Sequence, residues 1–375
     1  HDASEDRSHH QWTPVSWEGL RKSSGRLITW GTKEGCKRAW RRFSPQLPHE
    51  RSKPSEIDNR IIAGLAGIKA ALDDGEIDFA TISEADARLA TRYAVNELNG
   101  FAPWLTELAI HQPEAVRNVL AECIRGEWVS KRECKWVDEV LSDLIWQGEG
   151  LFHLVKDDLI AQLLNGDPEN KSILEHALTL LIRQTDPPII ILKEIASERA
   201  NIYSLDSQGF ILWLTVWLQT DAKPALQFLE ETLIQRADVN ADRLIIRVCN
   251  MLSERTSGRK PLLRKPDYSK PDILRIFIPL VYRHIRKSED INRVGGGVYS
   301  PNERDDAQDF RGSLLDLLVQ SEDPQADRVL RELLDEPVLN HLKDWICHKL
   351  EERAERFSDL QPWEPKDIRL FTLEY

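Results

Sequence analysis

Several short arrangements in the sequence carry residue types that can do chemistry. Gly295-Gly296-Gly297 precedes a helix-like stretch, the setting of a phosphate cradle. Such a cradle needs the spacing GxxxxGK[ST], in which lysine reaches the phosphates and a hydroxyl reaches Mg²⁺. Neither follows, and the triglycine reads as a hairpin. Asp305, Asp306 and Asp309 gather carboxylates within two helical turns, as a divalent metal would want, but no histidine or distant carboxylate completes the set. Local capping explains them: Ser300 and Glu303 have capping-box spacing, Pro301 suits the first helical position, and acids in the first turn complement the helix dipole. Asp158 with Glu169-Asn170-Lys171 imitates the carboxylate–lysine set of metal-dependent nucleases. That chemistry needs rigid elements, whereas Glu169 and Lys171 fall at a helix start after a turn. His153, His176 and His348 lie on helices among Leu and Ile, and no His pair has the i,i+4 spacing of a metal site. No catalytic residue, cofactor or metal is assigned.

Residues suited to holding a partner are easier to name. Trp213 and Trp217 stand one turn apart in an apolar helix, and Trp is enriched where proteins bind one another, although filling between helices is its commoner use. Arg304, Asp305, Asp306 and Arg311 form a dense charged run. Trp363, set between Pro362 and Pro365, is read either as a lid on the preceding helix or as an anchor for a partner. The sequence favours the lid.

The elements that position these groups are helical from Ile57 onward. Ser83-Glu84-Ala85-Asp86 opens a helix with Ala87, Ala90, Ala94, Val95 and Leu98 on one face, and Asn99-Gly100 is expected to end it. Pro113, Pro168 and Pro224 each follow one apolar stretch and open the next, 55 and 56 residues apart. That recurrence points to stacked units in which each buries its apolar face against its neighbours. Val338, Leu342, Trp345, Ile346, Leu350, Ala354 and Phe357 form a stripe at helical spacing near the end. Residues 1–56 lack this period. With Trp12, Trp17, Trp30 and Trp40 among many His, Pro, Ser and Arg, they predict an irregular extension pinned to the body by its indoles, with room for one short strand near Leu27–Trp30. The expected organisation is an irregular extension (1–56), a helical repeat array (57–257), a helix flanked by basic and Gly-rich loops (258–300) and a C-terminal helical cap (301–375). The fold class is all-α.

Composition narrows the function. Of 375 residues, 41% are hydrophobic and 30% charged, which is ordinary for a folded protein and leaves room for more than one core. A net charge of −12 argues against general nucleic-acid binding. The charge is uneven, however, with ten Lys or Arg between Leu20 and Lys53 against only Glu34 and Glu50. A second basic stretch runs from Arg255 to Arg293. Cys36, Cys123, Cys134, Cys249 and Cys347 are odd in number and scattered, as expected of reduced thiols in a cytoplasmic protein. No apolar run approaches the roughly 20 residues of a membrane span, so no membrane partner is expected. Because the chain opens on His1 rather than Met, it is expected to be a piece of something longer.

Three phrases carry a family resemblance: Ala90-Thr91-Arg92-Tyr93-Ala94-Val95-Asn96-Glu97-Leu98-Asn99-Gly100, Tyr299-Ser300-Pro301 through Phe310-Arg311, and Pro362-Trp363-Glu364-Pro365-Lys366-Asp367-Ile368. Together they resemble the C-terminal α-helical region of large bacterial multidomain NTPases of the NACHT or STAND type, over roughly Ile57 to the end. The resemblance implies a HEAT- or armadillo-like solenoid that senses or docks a ligand, in proteins often linked to anti-phage defence, with ATP hydrolysis elsewhere in the parent. No Walker A lysine or Walker B strand stands in this chain, so the resemblance carries over nothing catalytic. The expected function is protein–protein recognition, with a protein partner or other domains of the parent as ligand. The alternative is a nucleic-acid-binding or nucleic-acid-processing module that uses the basic segments 20–53 and 255–293.

Overall fold

The computed structural model describes residues 16–51, 56–98, 100–130, 140–205, 207–236, 238–253, 262–290 and 302–358. Among them all regular structure is helical and there is no strand. No helix among the described residues is long and apolar enough to cross a membrane. The helices fall into two compact units that divide between Pro188 and Ile189.

The first unit contains α1 (Trp17–Ser24), α2 (Arg26–Ala39), α3 (Asn59–Asp73), α4 (Glu84–Ala94), α5 (Leu105–His111), α6 (Pro113–Trp128), α7 (Val140–Gln147), α8 (Phe152–Asn165) and α9 (Lys171–Ile182). Side-chain caps set several starts. Ser16 Oγ accepts from Gly19 N at 3.0 Å, Ser83 Oγ from Asp86 N at 3.1 Å and Asn170 Oδ1 from Ser172 N at 3.0 Å. The start of α7 is capped from a distance, since the buried Glu127 carboxylate of α6 accepts from Val140 N and Leu141 N. Pro113 opens α6 as its spacing predicts. Gly166 stops α8 at φ 134°, and its carbonyl accepts from Trp128 Nε1 at 2.9 Å.

Helix α2 packs on α3, α4 on α6, α6 on α8, and α7 and α8 on α9. Close approach is permitted at Gly67, where a Cβ would stand 2.2 Å from the Cys36 carbonyl oxygen of α2. Tyr93 lies over Gly64 and is fully buried. Its hydroxyl is 3.1 and 3.0 Å from the carbonyl oxygens of Trp40 and Phe43, and burial pushes its pKa up to about 12.

The second unit contains α10 (Ile189–Ile202), α11 (Gln208–Thr220), α12 (Ala222–Ile234), α13 (Asp238–Leu252), α14 (Pro271–His284), α15 (Glu303–Gln320), α16 (Gln325–Leu333) and α17 (Lys343–Ser358). From Gly209 to Thr220 every residue of α11 is buried, so this helix, apolar all round, is the centre on which α10, α12 and α13 pack. Asp267 Oδ2 accepts from Ala222 N at 2.8 Å and so satisfies the start of α12. Helix α17 is tied down by Arg353, whose Nε donates to Asp327 Oδ1 at 2.6 Å and whose Nη1 reaches the carbonyls of Val319 and Ser321.

Four local expectations are corrected. The stretch 17–39 is two helices rather than an irregular extension with a strand, because Gly25, at φ 81°, breaks the chain once and leaves helical sequence on both sides. Its indoles do not all pin it: Trp40 is fully buried, whereas Trp30 is 62% exposed. Helix α4 stops at Ala94, before Asn99-Gly100, because Val95 and Asn96 turn out of the helix and direct their N–H groups at Thr91 and Tyr93 carbonyls. The box that opens α15 is Asn302 with Asp305, and the expected Ser300 lies outside the described residues; Asn302 Oδ1 accepts from Arg304 N at 2.9 Å and Asp305 Oδ2 from Asn302 N at 2.8 Å. In the terminal stripe only Ile346 is fully buried among the described side chains, while Val338, Leu342, Trp345 and Leu350 are half-buried and Ala354 is exposed.

Candidate functional site

The charged run of the sequence becomes a closed knot in the second unit. Arg311, on α15, points back across the end of α14. Its Nη1 donates to the Ile285 carbonyl at 2.7 Å and to Asp290 Oδ1 at 3.0 Å, and its Nη2 donates to Asp290 Oδ2 at 2.6 Å. The guanidinium also lies 5.2 Å over the Tyr282 ring. Burial alone would raise the Asp290 carboxyl, but the hydrogen bonds and charge of Arg311, with Lys287 beside it, hold its pKa below the usual carboxylate value. About two turns towards the start of α15, Arg304 donates to the Arg286 carbonyl at 3.2 Å and faces Glu289 at 3.5 Å. Arg286 in turn bridges Asp242 at 3.0 Å and Glu289 at 2.7 Å, and His284 Nδ1 lies 2.8 Å from Asp242 Oδ1.

This network does the work of cement. Its carboxylates are each matched by a guanidinium or imidazole, and Cys249, a thiol that feels the charge of Arg311, is fully buried with its pKa pushed up by that burial, which makes it a poor nucleophile. Asp305 serves the cap of α15, and Asp305 and Asp306 are both buried. Among the described residues Asp305, Asp306 and Asp309 do not converge as metal ligands; Glu34, Asp74 and Glu76 do. A cation already stands among those three: the Lys37 ammonium pairs with Glu34 at 2.6 Å, with Asp74 at 3.0 Å and with Glu76.

The remaining sequence candidates are placed as follows. Trp213 is fully buried and Trp217 is 7% exposed, 5.5 Å from the Phe228 ring, so both fill the core around α11 and offer a partner no surface. Trp363 and the triglycine lie outside the described residues. Asp158 is paired with Arg117 at 3.1 Å, and Lys171 Nζ donates to the Pro168 carbonyl at 2.8 Å, which commits both to structural roles. His153 is exposed, and His348 stands 3.0 Å from Glu352 on its own helix. A shallow cleft of about 230 Å³, lined by Asn201, Tyr203, Phe228, Glu231 and Gln235 among others, is smaller than the roughly 300–1,000 Å³ of ordinary small-molecule sites. The basic segment 20–53 is partly neutralised within the fold, Arg41 by Asp86 at 2.8 Å and Lys33 by Asp74 at 2.7 Å, while Arg259 and Lys260 of the other basic segment lie outside the described residues.

The surface that stands out is one that the charged motifs do not point to: the outer side of α2. Its inner side is fixed to α3 by Lys37 and by the close approach at Gly67. Outward, Leu27 is 80%, Ile28 59% and Trp30 62% exposed, three large apolar side chains within four residues. Helical spacing puts Leu27, Gly31 and Arg38 on one stripe, with Trp30 on one side of it and Ile28 and Gly35 on the other. A Cβ added at Gly31 or Gly35 meets nothing within 4 Å. Lys22, Arg26 and Arg42 are exposed and make no ion pair with described residues, and Arg38, 74% exposed, reaches only Glu34 at 3.8 Å. Elsewhere exposed large apolar side chains such as Ile110, Val129, Leu164 and Ile234 are far apart in the chain. The run Leu27-Ile28-Thr29-Trp30 was legible in the sequence as apolar, but its β-rich composition suggested a strand, and a strand would have concealed the grouping.

No family model, curated protein or solved structure matches the chain.

Proposed function

We propose that this chain is a recognition module: a stack of helical hairpins, HEAT- or armadillo-like in kind, that binds a protein partner through the outer side of α2. The observation that carries the reading is the exposed group Leu27, Ile28 and Trp30 on a helix whose other side is firmly anchored. Isolated exposed apolar residues need no explanation; three together on a fixed support mark an interaction surface. The packing within each unit supports the stack, since α6 to α9 and α10 to α13 each lie chiefly against helices one or two places away in the chain. The resemblance to the C-terminal regions of bacterial NACHT- or STAND-type NTPases supplies a setting: a sensing or regulatory region whose ligand controls a nucleotide-hydrolysing domain of a parent protein. Scattered unpaired thiols, among them the buried Cys123 and Cys249, suit a cytoplasmic setting.

The test is selection of ligands from a displayed library of helical peptides on the purified chain. Recovered peptides should lose at least about tenfold in affinity when Leu27 and Trp30 are both changed to Ser, which removes two central apolar anchors. The melting temperature should stay unchanged, because neither side chain is buried. Peptides that bind the variant as well as the parent chain would place recognition elsewhere.

A further inference from the structure

We infer that the partner of the α2 surface is an acidic amphipathic helix, an inference that rests on the recognition reading above and gives that partner its chemistry. Along α2 and just beyond its two ends stand Lys22, Arg26, Arg38 and Arg42, all exposed, in a chain whose net charge is −12. Arg38 reaches only Glu34, at 3.8 Å, and the other three make no ion pair with described residues; such cations along an apolar stripe select a ligand with an apolar stripe of its own and flanking Asp or Glu.

The shape of the surface says that the ligand is a helix. Gly31 and Gly35 are one turn apart on the outward side, with open space where their Cβ atoms would be. They leave the outward side without side chains at these two positions, following Leu27, Ile28 and Trp30 along the helix. A partner helix laid along it brings its backbone close and packs its own apolar residues against those three side chains. Two glycines in mid-helix weaken α2 in isolation, and close approach of a partner gives them a use.

Two other occupants fit less well. A second copy of this chain would bring Arg26 and Arg38 against the same residues of its twin, and like charges placed opposite each other destabilise a contact. An anionic membrane surface would also attract the cations, but an interfacial helix gains its affinity from bulky apolar area along its whole inserted side. Here the middle of that side is glycine.

The experiment uses two synthetic helical peptides with the same Leu stripe, one flanked by Glu and one by Lys, and reads fluorescence anisotropy on the full chain. The Glu peptide should bind at least about tenfold more tightly than the Lys peptide, and added salt should weaken it. The double variant Lys22→Glu, Arg26→Glu should abolish or reverse that preference. Gly31→Leu should lower the affinity by about tenfold while raising the helix stability, so lost binding could not be blamed on unfolding. Equal binding of the two peptides overturns the inference. So does stronger partition onto phosphatidylserine vesicles than onto the Glu peptide, or a dimer in sedimentation that Leu27→Ser disperses. If neutral or basic peptides bind and Leu27→Ser with Trp30→Ser abolishes them, the acidic partner is wrong and recognition by α2 stands. If that double variant leaves every ligand bound, recognition by α2 falls as well.

Discussion

Arg311 forks onto Asp290, Nη1 to Oδ1 at 3.0 Å and Nη2 to Oδ2 at 2.6 Å, with the two side chains only 7% and 16% exposed. Removing the guanidinium leaves a sequestered carboxylate alone, so Arg311→Met is expected to cost about 3–5 kcal/mol in urea denaturation of the second unit. Asp290→Asn should cost less, because the Asn oxygen can still accept from Arg311, which also keeps the Ile285 carbonyl and the Tyr282 ring. Since the folded pKa of Asp290 is depressed, its contribution is present above the unfolded carboxylate pKa and is lost as pH falls through the folded value. The Asn variant should lack that part of the acid limb. A loss under about 1 kcal/mol for Arg311→Met would show the fork to be ornamental.

Two glycine substitutions should have opposite signs. In Gly67→Ala the new methyl meets the Cys36 carbonyl oxygen at 2.2 Å, a backbone atom that cannot swing aside, and overpacking of that kind costs about 1–3 kcal/mol. In Gly31→Ala nothing lies within 4 Å, and the gain in helix propensity stabilises by about 0.5–1 kcal/mol. Equal effects in thermal melts would mean that α2 and α3 do not meet at Gly67.

Helix formation was open to reading from residue 57 onward because caps and the apolar period agreed: Ser83, Pro113 and Gly166 each act at the position their chemistry indicates, whereas Pro168 stands three residues before α9 and Pro224 inside the first turn of α12. The N-terminal helices were missed because the outer side of α2 is itself apolar, which destroys the one-sided period by which a surface helix is recognised. The same cause hid the candidate site. Periodicity reports burial, and Leu27, Ile28 and Trp30 are apolar without being buried. Trp213 and Trp217 failed in the converse way, since an aromatic pair one turn apart has the same pattern in a core as on a surface, and only the depth of α11 decides. The distant pairings, Arg311 with Asp290 and Arg353 with Asp327, join separate elements, and nothing local in the sequence announces them.

Lys37 offers a charge test. Its ammonium stands among Glu34, Asp74 and Glu76, whose hydrogen bonds hold its pKa above the usual lysine value. Lys37→Ala leaves three carboxylates facing one another, so the variant should melt at lower temperature at neutral pH. It should recover when millimolar Ca²⁺ is added, because oxygen ligands then gather a cation of their own. The parent chain should not respond to Ca²⁺ in this way. A variant indifferent to Ca²⁺ would mean that the three groups move apart once the lysine is gone.

Arg353, 2% exposed, joins α17 to Asp327 and to the Val319 and Ser321 carbonyls. Arg353→Met keeps the length of the side chain but removes every donor, so the Ser321 carbonyl and the Asp327 carboxylate lose theirs while Val319 keeps Arg356 at 2.9 Å. Hydrogen exchange in Lys343–Ser358 should accelerate strongly while α11 keeps its protection. Unchanged exchange in α17 would show that apolar contacts such as Ile346 alone hold it.

The central claim is that the outer side of α2 is the surface that recognises a partner. Hydrogen-exchange mass spectrometry, with and without a saturating selected peptide, tests it most directly. The account predicts added protection concentrated in Trp17–Ala39, with the helices of the second unit unchanged. Protection confined to α14 and α15, or to the cleft between α10 and α12, would contradict it.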